Sequence, residues 1–345
     1  MDLTIAGILL LDGLTNGAIY ALLALAIVLL FAVTRVIFIP QGEYVAFAAL
    51  TVGMLQLGQV PGTVWFLLAM AALAALLDVV ADLRARRPLA RLARRALATL
   101  AFPVVVSALT IWLAPQKPSL YVQALLTLAL VTPFGPLIYR LAYRSLADAS
   151  VLVLLIVSVG VHFALTGLGL FFFGAEGFRI PVFWDARFSL GALSLSGQAL
   201  IIFAATAALL VMLALFFNRT IRGKALRATA VNPLGARLVG VSAEGAGRIS
   251  FTMAAFIGAL SGLLIGPTTT IFYDSGFLIG LKGFVAAVFA GLGSYPLAMV
   301  GAVLVGILEA FSSFQASAFK EAIVFTFILP VLLWRSLRDP DREEE

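Results

Sequence analysis

Residues 14–36 read LTNGAIYALLALAIVLLFAVTRV, an apolar run whose single charged residue, Arg35, stands beside its end. A helix needs about 20 apolar residues to cross roughly 30 Å of hydrocarbon. Inside lipid, a helix also satisfies its backbone polar groups internally. The run therefore predicts a transmembrane helix. Similar runs fill the chain, and we predict spans near 14–36, 43–60, 62–81, 97–115, 119–139, 150–173, 197–217, 249–266, 278–292, 295–314 and 320–336.

The composition matches this interpretation, because 62% of the 345 residues are hydrophobic and only 12% are charged. Soluble domains carry about 25% charged residues. We predict one all-α polytopic membrane domain over 1–345, with about 10–11 spans and no separate soluble domain. The first residues lack the basic region of a cleaved signal peptide, so we expect the first helix to be retained. Cysteine is absent, which excludes disulfides, thiolate catalysis and cysteine-ligated metals.

The net charge of +6 comes from basic residues that cluster between apolar runs. In membrane proteins, basic connections between helices stay on the cytoplasmic side, so these clusters indicate orientation and not nucleic-acid binding. An even number of predicted spans separates successive clusters, so all of the clusters lie on the cytoplasmic side. Three predicted spans precede the first cluster, so the N-terminus lies outside. The clusters are Arg84, Arg86, Arg87, Arg91, Arg94 and Arg95; Arg140 and Arg144; Arg219, Arg222, Lys224, Arg227, Arg237 and Arg248; and Arg335, Arg338 and Arg342.

The outside segment 174–196 contains Pro181, Trp184, Asp185 and Arg187. Its aromatic residues suit an anchor at the level of the lipid headgroups. A role as a substrate gate is the alternative.

The cytoplasmic segment 219–248 contains more structure than a simple connection needs. Asn232 can cap a helix that starts at Pro233, Gly240 can end it after residue 239, and Ser242 can cap the helix that follows. A short helix held at the membrane face can act as a lever pushed by a soluble motor. Composition alone favours an interfacial amphipathic helix with Arg237 reaching the headgroups.

Gly258, Gly262 and Gly266 recur every four residues beside Ser261. This spacing leaves one helix face without side chains and predicts close helix packing, with dimerisation through the face as a second possibility.

Two stretches interrupt apolar runs, Ile39 to Glu43 and Pro267 to Gly283. Discontinuous helices often build substrate sites, so both are pathway candidates, whereas surface loops are the alternative. Ionisable residues within apolar runs are costly, which singles out Glu43, Lys282 and Glu309. We expect Lys282 to pair with Asp274 or Glu43, as a salt bridge or around substrate.

His162, the only histidine, is expected to be a packed, hydrogen-bonded residue. No phosphate-binding loop occurs, since Gly223-Lys224 is followed by Ala225. The sequence predicts a non-enzymatic chain with no metal site.

Several motifs occur in a fixed order: Asp12 to Leu22, Gln41-Gly42-Glu43, Arg227 to Val241, Gly280 to Phe284, Gly291 to Ser294 and Gly306 to Ala310. Together they resemble the branched-chain amino acid ABC transporter permeases of the LivH type, over about 1–60 and 135–335.

The resemblance implies the transmembrane domain of an ABC importer in a bacterial or archaeal inner membrane. Its partners would be a second related permease, two cytoplasmic ATPase subunits that bind ATP and Mg, and a periplasmic substrate-binding protein. This chain would bind no cofactor. The resemblance makes the lever the preferred interpretation, with coupling residues Arg227, Asn232, Pro233, Leu234, Arg237, Leu238 and Gly240. Pathway candidates are Gln41, Gly42, Glu43, Tyr273 and Lys282.

Two features depart from the resemblance. Family members usually have histidine at the position of Gln41, and 82–132 looks like an insertion with two extra, peripheral spans. Urea, short amides and aromatic acids remain alternative substrates to branched-chain amino acids. An ion-coupled secondary transporter is the alternative mechanism, although it would require paired membrane carboxylates, of which the sequence offers few.

Overall fold

The computed structural model describes residues 3–190 and 193–338, so Arg342 of the last basic cluster lies outside the described residues. The described chain is helical apart from one β-hairpin. The helices are α1 (Leu3–Thr34), α2 (Gln41–Gln56), α3 (Gly62–Arg84), α4 (Leu89–Leu113), α5 (Leu120–Val131), α6 (Phe134–Ile138), α7 (Val151–Phe173), α8 (Gly197–Arg219), α9 (Ile221–Val231), α10 (Pro233–Leu238), α11 (Ala243–Ile265), α12 (Ser275–Phe289), α13 (Tyr295–Gln315), α14 (Lys320–Thr326) and α15 (Ile328–Arg338).

Eight helical segments within 3–190 and 193–338 are long and apolar enough to cross a membrane, which confirms the all-α polytopic class. They are α1, α3, α4, α5 with α6 and its continuation to Leu146, α7, α8, α11 and α13. The three other predicted spans are shorter or divided: α2 has 16 residues, α12 has 15, and the last is split into α14 and α15.

The centre of the bundle is α1, which packs against α11, α12 and α13. Its residues from Ile19 to Leu30 are buried without a gap. By contrast, α4, α7 and α8 expose most of their apolar side chains, such as Trp112 and Phe171. Large exposed apolar surface of this kind suits contact with lipid.

The prediction that 82–132 adds two peripheral spans is wrong for the second of them. Helix α4 lies at the periphery and packs on α3, but α5 packs against α2 and α11. Gln123 on α5 is buried and accepts a hydrogen bond from Gln56 of α2 (2.8 Å). Helix α5 therefore belongs to the core.

The first three basic clusters lie at one end of the bundle, as the ion pairs around them show. Arg95 pairs with Asp82 (3.2 Å), Arg140 pairs with Asp78, Arg144 pairs with Glu244 (3.1 Å) and Arg237 pairs with Asp148 (2.9 Å). We call this the inner end and the opposite one the outer end. The last turns of α1 pack there, against Leu226 and Ala246, so α1 runs from the outer end to the inner end, as predicted for the first span.

A β-hairpin lies in the segment 174–196, for which no strand was predicted from the sequence. Strands β1 (Arg187–Leu190) and β2 (Leu193–Ser196) pair antiparallel, with Arg187 opposite Ser196. Before it, Phe178 forms an isolated bridge with Ile271. Trp184 is about half exposed and packs edge-on against Phe188, an arrangement compatible with the predicted headgroup anchor.

Candidate functional site

The helix breaks that the sequence predicts at the inner end form a capped elbow, which we define as residues 220–242. The Thr220 hydroxyl accepts a hydrogen bond from Gly223 N (2.9 Å) at the start of α9. Asn232 Oδ1 then accepts one from Gly235 N (2.8 Å), and Pro233 occupies the first position of α10. These contacts fix both helix starts. The structure thus confirms the short helix and its cap.

The end of the elbow is also defined by local backbone structure. Gly240 has a φ of 88°, a left-handed conformation that favours glycine after a helix. The Ser242 hydroxyl accepts a hydrogen bond from Gly245 N (2.8 Å) and so caps α11. Because caps stand at the starts of α9, α10 and α11, the elbow is a defined structure and not a loose connection.

One side of the elbow is anchored and the other is bare. Leu226 is buried against Leu29 and Val33 of α1. On the free side, Leu234 is 69% exposed, Leu238 is 81% exposed and Val239 is 79% exposed. A polar face would be expected for a helix that only meets water. An exposed apolar cluster at the end of a protein typically marks a docking surface.

The two arginines to which the resemblance assigns a role in coupling have different places in the elbow. Arg227 lies on α9 and donates a hydrogen bond to Asn218 Oδ1 (2.8 Å). Arg237 lies on α10 and pairs with Asp148, in the connection between α6 and α7. Of the two, Arg237 is beside the exposed leucines.

The two predicted interruptions meet inside the bundle. The start of α2 touches the start of α12 so closely that a Cβ at Gly42 would lie 2.7 Å from Gly280 N and would overlap the carbonyl oxygen of Gly276. Both helices are too short to span a membrane, and α2 begins beside Ala254, in the middle of α11. The structure therefore contains two short helices, of 16 and 15 residues, whose first turns contact each other within the bundle. We call them the half-length helices, because neither has the length of a full span.

Polar side chains fill this junction. Gln41 and Glu43 are fully buried; Gln41 Nε2 donates to Ala254 O (3.0 Å), and Glu43 Oε1 bonds His162 Nδ1 of α7 (2.9 Å). His162 also stacks near Phe277 of α12, with ring centroids 4.8 Å apart. His162 is thus packed and hydrogen-bonded, as the sequence predicted. It joins α7 to both half-length helices.

The predicted partners of Lys282 are wrong. Lys282 Nζ bonds Glu309 Oε1 of α13 (2.5 Å) and Glu321 Oε1 of α14 (3.1 Å), while Glu43 is occupied by His162. The Tyr20 hydroxyl donates to the second oxygen of Glu309 (2.5 Å). Sequence reasoning did not select Tyr20 or Glu321. Tyr20 lies in the motif at 12–22, but nothing in its spacing indicated a contact with Glu309.

This cluster lines an outer cavity of about 1050 Å³, bounded by α1, the hairpin, the 268–272 segment and the helices α12 to α14. Its charged residues are Asp12, Arg187, Lys282, Glu309, Lys320 and Glu321. Three are acidic and three are basic, so the cavity combines strong local charge with a balanced total. Such a surface suits small polar or zwitterionic solutes.

The other predicted pathway residues do not reach this cavity. Gln41, Gly42 and Glu43 are buried and are not among its lining residues, and Tyr273 packs against Gly169 of α7. Among the predicted set, only Lys282 lines the cavity.

The glycine face of α11 packs as predicted. A Cβ at Gly258 would lie 2.7 Å from Tyr44 Cβ, one at Gly262 would overlap Val45 O, and one at Gly266 would lie 2.8 Å from Ile180. The first two contacts join α11 to α2. Because these contacts occupy the face within the chain, it is not free for dimerisation.

Among residues 3–190 and 193–338, no group of three or more His, Asp or Glu side chains is arranged to hold a metal ion.

The eight membrane-length helices in the described part of the chain define a polytopic α-helical membrane protein. The chain belongs to the family described as "Branched-chain amino acid transport system / permease component", whose sequence profile matches residues 9–333.

Two curated relatives carry the same description. The "High-affinity branched-chain amino acid transport system permease protein BraD" of Pseudomonas aeruginosa is 28% identical over 340 residues, which cover 94% of this chain and 92% of the relative. The corresponding protein LivH of Escherichia coli K12 is 28% identical over 213 residues, covering 60% of this chain and 69% of LivH.

A comparison with solved structures matched "PsaBC from Streptococcus pneumoniae in complex with Fab", at 10% identity and a TM-score of 0.37, over 93% of this chain and 89% of the other. That similarity is too low to support an argument.

Proposed function

We propose that this chain is the permease subunit of an ATP-driven importer that moves branched-chain or related amino acids across a bacterial or archaeal inner membrane. In this proposal the chain is not an enzyme, and ATP with Mg is bound and hydrolysed by two separate cytoplasmic subunits. A second related permease completes the pathway, and a periplasmic protein delivers the substrate. The observation that carries the proposal is the capped elbow with its exposed leucines.

The elbow has the properties of a lever. Its helices begin with hydrogen-bonded caps, and it projects apolar side chains that a soluble ATPase could cover. Its last cap begins α11, whose Gly258 and Gly262 pack on α2, and α2 in turn contacts α12 at Gly42. A displacement of the elbow would therefore reach the junction of the half-length helices through contiguous, tightly packed contacts.

The outer cavity supports the substrate part of the proposal. A zwitterionic amino acid carries one charge of each sign, and the cavity offers both signs close together. The side chain of a branched-chain amino acid would find apolar surface there at Ile271, Phe272 and Leu278. Urea, short amides and aromatic acids are alternative substrates, and ligand binding to the delivery protein distinguishes among them.

The elbow is tested by co-purification of the full chain, produced together with the proteins encoded beside its gene. We expect an ATPase to co-purify, and Leu234→Asp with Leu238→Asp to abolish its retention by placing charge in the apolar contact. Ile221→Asp is the matched control, because Ile221 is also exposed (87%) but begins α9. Failure of the unchanged chain to retain any ATPase would refute the proposal.

An ion-coupled secondary transporter is the second candidate, and one observation favours it. Glu43, Glu309 and Glu321 all lie in polar clusters within the bundle, more carboxylates than the sequence analysis had placed together. Uptake into vesicles that contain the chain alone distinguishes the two mechanisms. Accumulation driven by a proton or sodium gradient without an ATPase subunit would establish the ion-coupled mechanism.

A further inference from the structure

A groove of about 710 Å³ lies at the inner end between α1, α8, α9 and α13, separate from the outer cavity. Apolar side chains line its depth, including Leu25, Leu29 and Met299. Two guanidinium groups, those of Arg35 and Arg227, are among the lining residues, and both side chains are exposed. The groove thus combines an apolar interior with positive charge at its exposed edge.

The part of α1 that lines the groove is about as long as one lipid monolayer is thick. From Leu25 to Thr34, where α1 ends, the helical rise is about 14 Å at 1.5 Å per residue. Half of the hydrocarbon thickness of a bilayer is about 15 Å. An acyl chain of ordinary length could therefore follow α1 with its headgroup at the level of Arg35.

The charges at the groove favour an anion. No Asp or Glu is among the described residues that line it. Within residues 3–190 and 193–338, Arg35 lies over the ring of Phe31 (5.9 Å) and Arg227 bonds the neutral Asn218, so neither forms an ion pair there. Arg35 also follows α1 with a φ of 59°, in the left-handed region that disfavours side chains other than glycine. Its position is thus maintained against a local conformational cost.

We propose that this inner groove binds one anionic phospholipid of the inner leaflet, with an acyl chain along α1 and α8 and the phosphate between Arg35 and Arg227. Basic pockets between membrane helices are suited to such headgroups. The lipid would also contact Leu226 and Ala230 of α9, and so would lie against the elbow. This site is independent of the transported substrate and of the energy source.

Native mass spectrometry of the full chain tests the headgroup. We expect phosphatidylglycerol to bind about 30-fold more tightly than phosphatidylcholine with the same acyl chains, because Arg35 and Arg227 each contribute about 1 kcal/mol near an anionic headgroup. Arg35→Gln with Arg227→Gln should remove that preference. The matched control, Arg222→Gln with Lys224→Gln, removes the same charge from α9 outside the groove and should keep it. Equal binding of both lipids by the unchanged chain would overturn the proposal.

Two further arms identify the occupant. Inorganic phosphate and glycerol 3-phosphate should not displace phosphatidylglycerol; effective displacement would assign the site to a soluble anion. Because the chain has no cysteine, Ala214→Cys provides a single attachment point for a photocrosslinker inside the groove. In native membranes we expect a lipid adduct. A protein adduct, from a second copy or another subunit, would assign the groove to an assembly contact and overturn the lipid proposal.

Discussion

Replacement of Gly42 by alanine tests the junction of the half-length helices. The added methyl group would lie 2.7 Å from Gly280 N and would overlap the Gly276 carbonyl, and both are backbone atoms that cannot rotate away. An ordinary contact needs 3.4 Å or more, so the helix ends must separate by well over 1 Å at the Gly276 carbonyl, in an interior that is otherwise close-packed. Overpacking of this kind costs about 1–3 kcal/mol.

Thermal unfolding of the detergent-solubilised chain, followed by size-exclusion chromatography, measures this cost. We expect Gly42→Ala to lower the apparent Tm by several degrees and to reduce solute uptake in vesicles. Gly160→Ala on α7 is the matched control, because no atom lies within 4 Å of the added methyl group and alanine favours the helix. If Gly42→Ala and Gly160→Ala unfold at the same temperature, the close contact between α2 and α12 is refuted.

Three further predictions concern polar contacts. Lys282→Met leaves Glu309 buried without its cation and should destabilise the fold by about 3 kcal/mol in thermal unfolding. The double variant with Glu309→Gln should recover most of this loss. Equal stability of the single and double variants would contradict the pairing. Asn232→Ala removes the cap of α10 and should increase hydrogen exchange at Gly235 about fivefold, a loss of about 1 kcal/mol, without changing the global Tm. Asp148→Ala breaks an exposed ion pair with Arg237 and should leave the Tm unchanged, because such pairs contribute about 0–1 kcal/mol; a clear drop would show that the tether is structural.

Local signals were sufficient to predict the elbow from the sequence. The Asn232-Pro233 pair marks a cap and a first turn, and Gly240 marks an end, because each depends only on the backbone of its own neighbours. The helix spans were predictable for a similar reason, since hydrocarbon thickness sets their length. The hairpin also had a signal, the alternation of apolar and polar residues in 187–190 and again in 193–196, which the sequence analysis did not use.

The ion pairs of the interior had no such signal. Lys282 meets Glu309 and Glu321 only because α12, α13 and α14 converge at the outer cavity, and Asp274, though nearer in sequence, does not pair with it. The position of α5 in the core also could not be predicted from the sequence. Its apolar residues suit lipid and protein neighbours alike, so hydropathy could not distinguish a peripheral helix from a buried one.

The bare side of the elbow has a consequence for how cells make this protein. Leu234, Leu238 and Val239 are exposed in the chain by itself, and in the proposed complex an ATPase subunit covers them. A copy synthesised in excess over its partner subunits would keep this apolar surface of the elbow exposed. Such orphan copies are open to chaperone binding and proteolysis, so the yield of the chain produced alone should be limited by turnover as well as by membrane insertion.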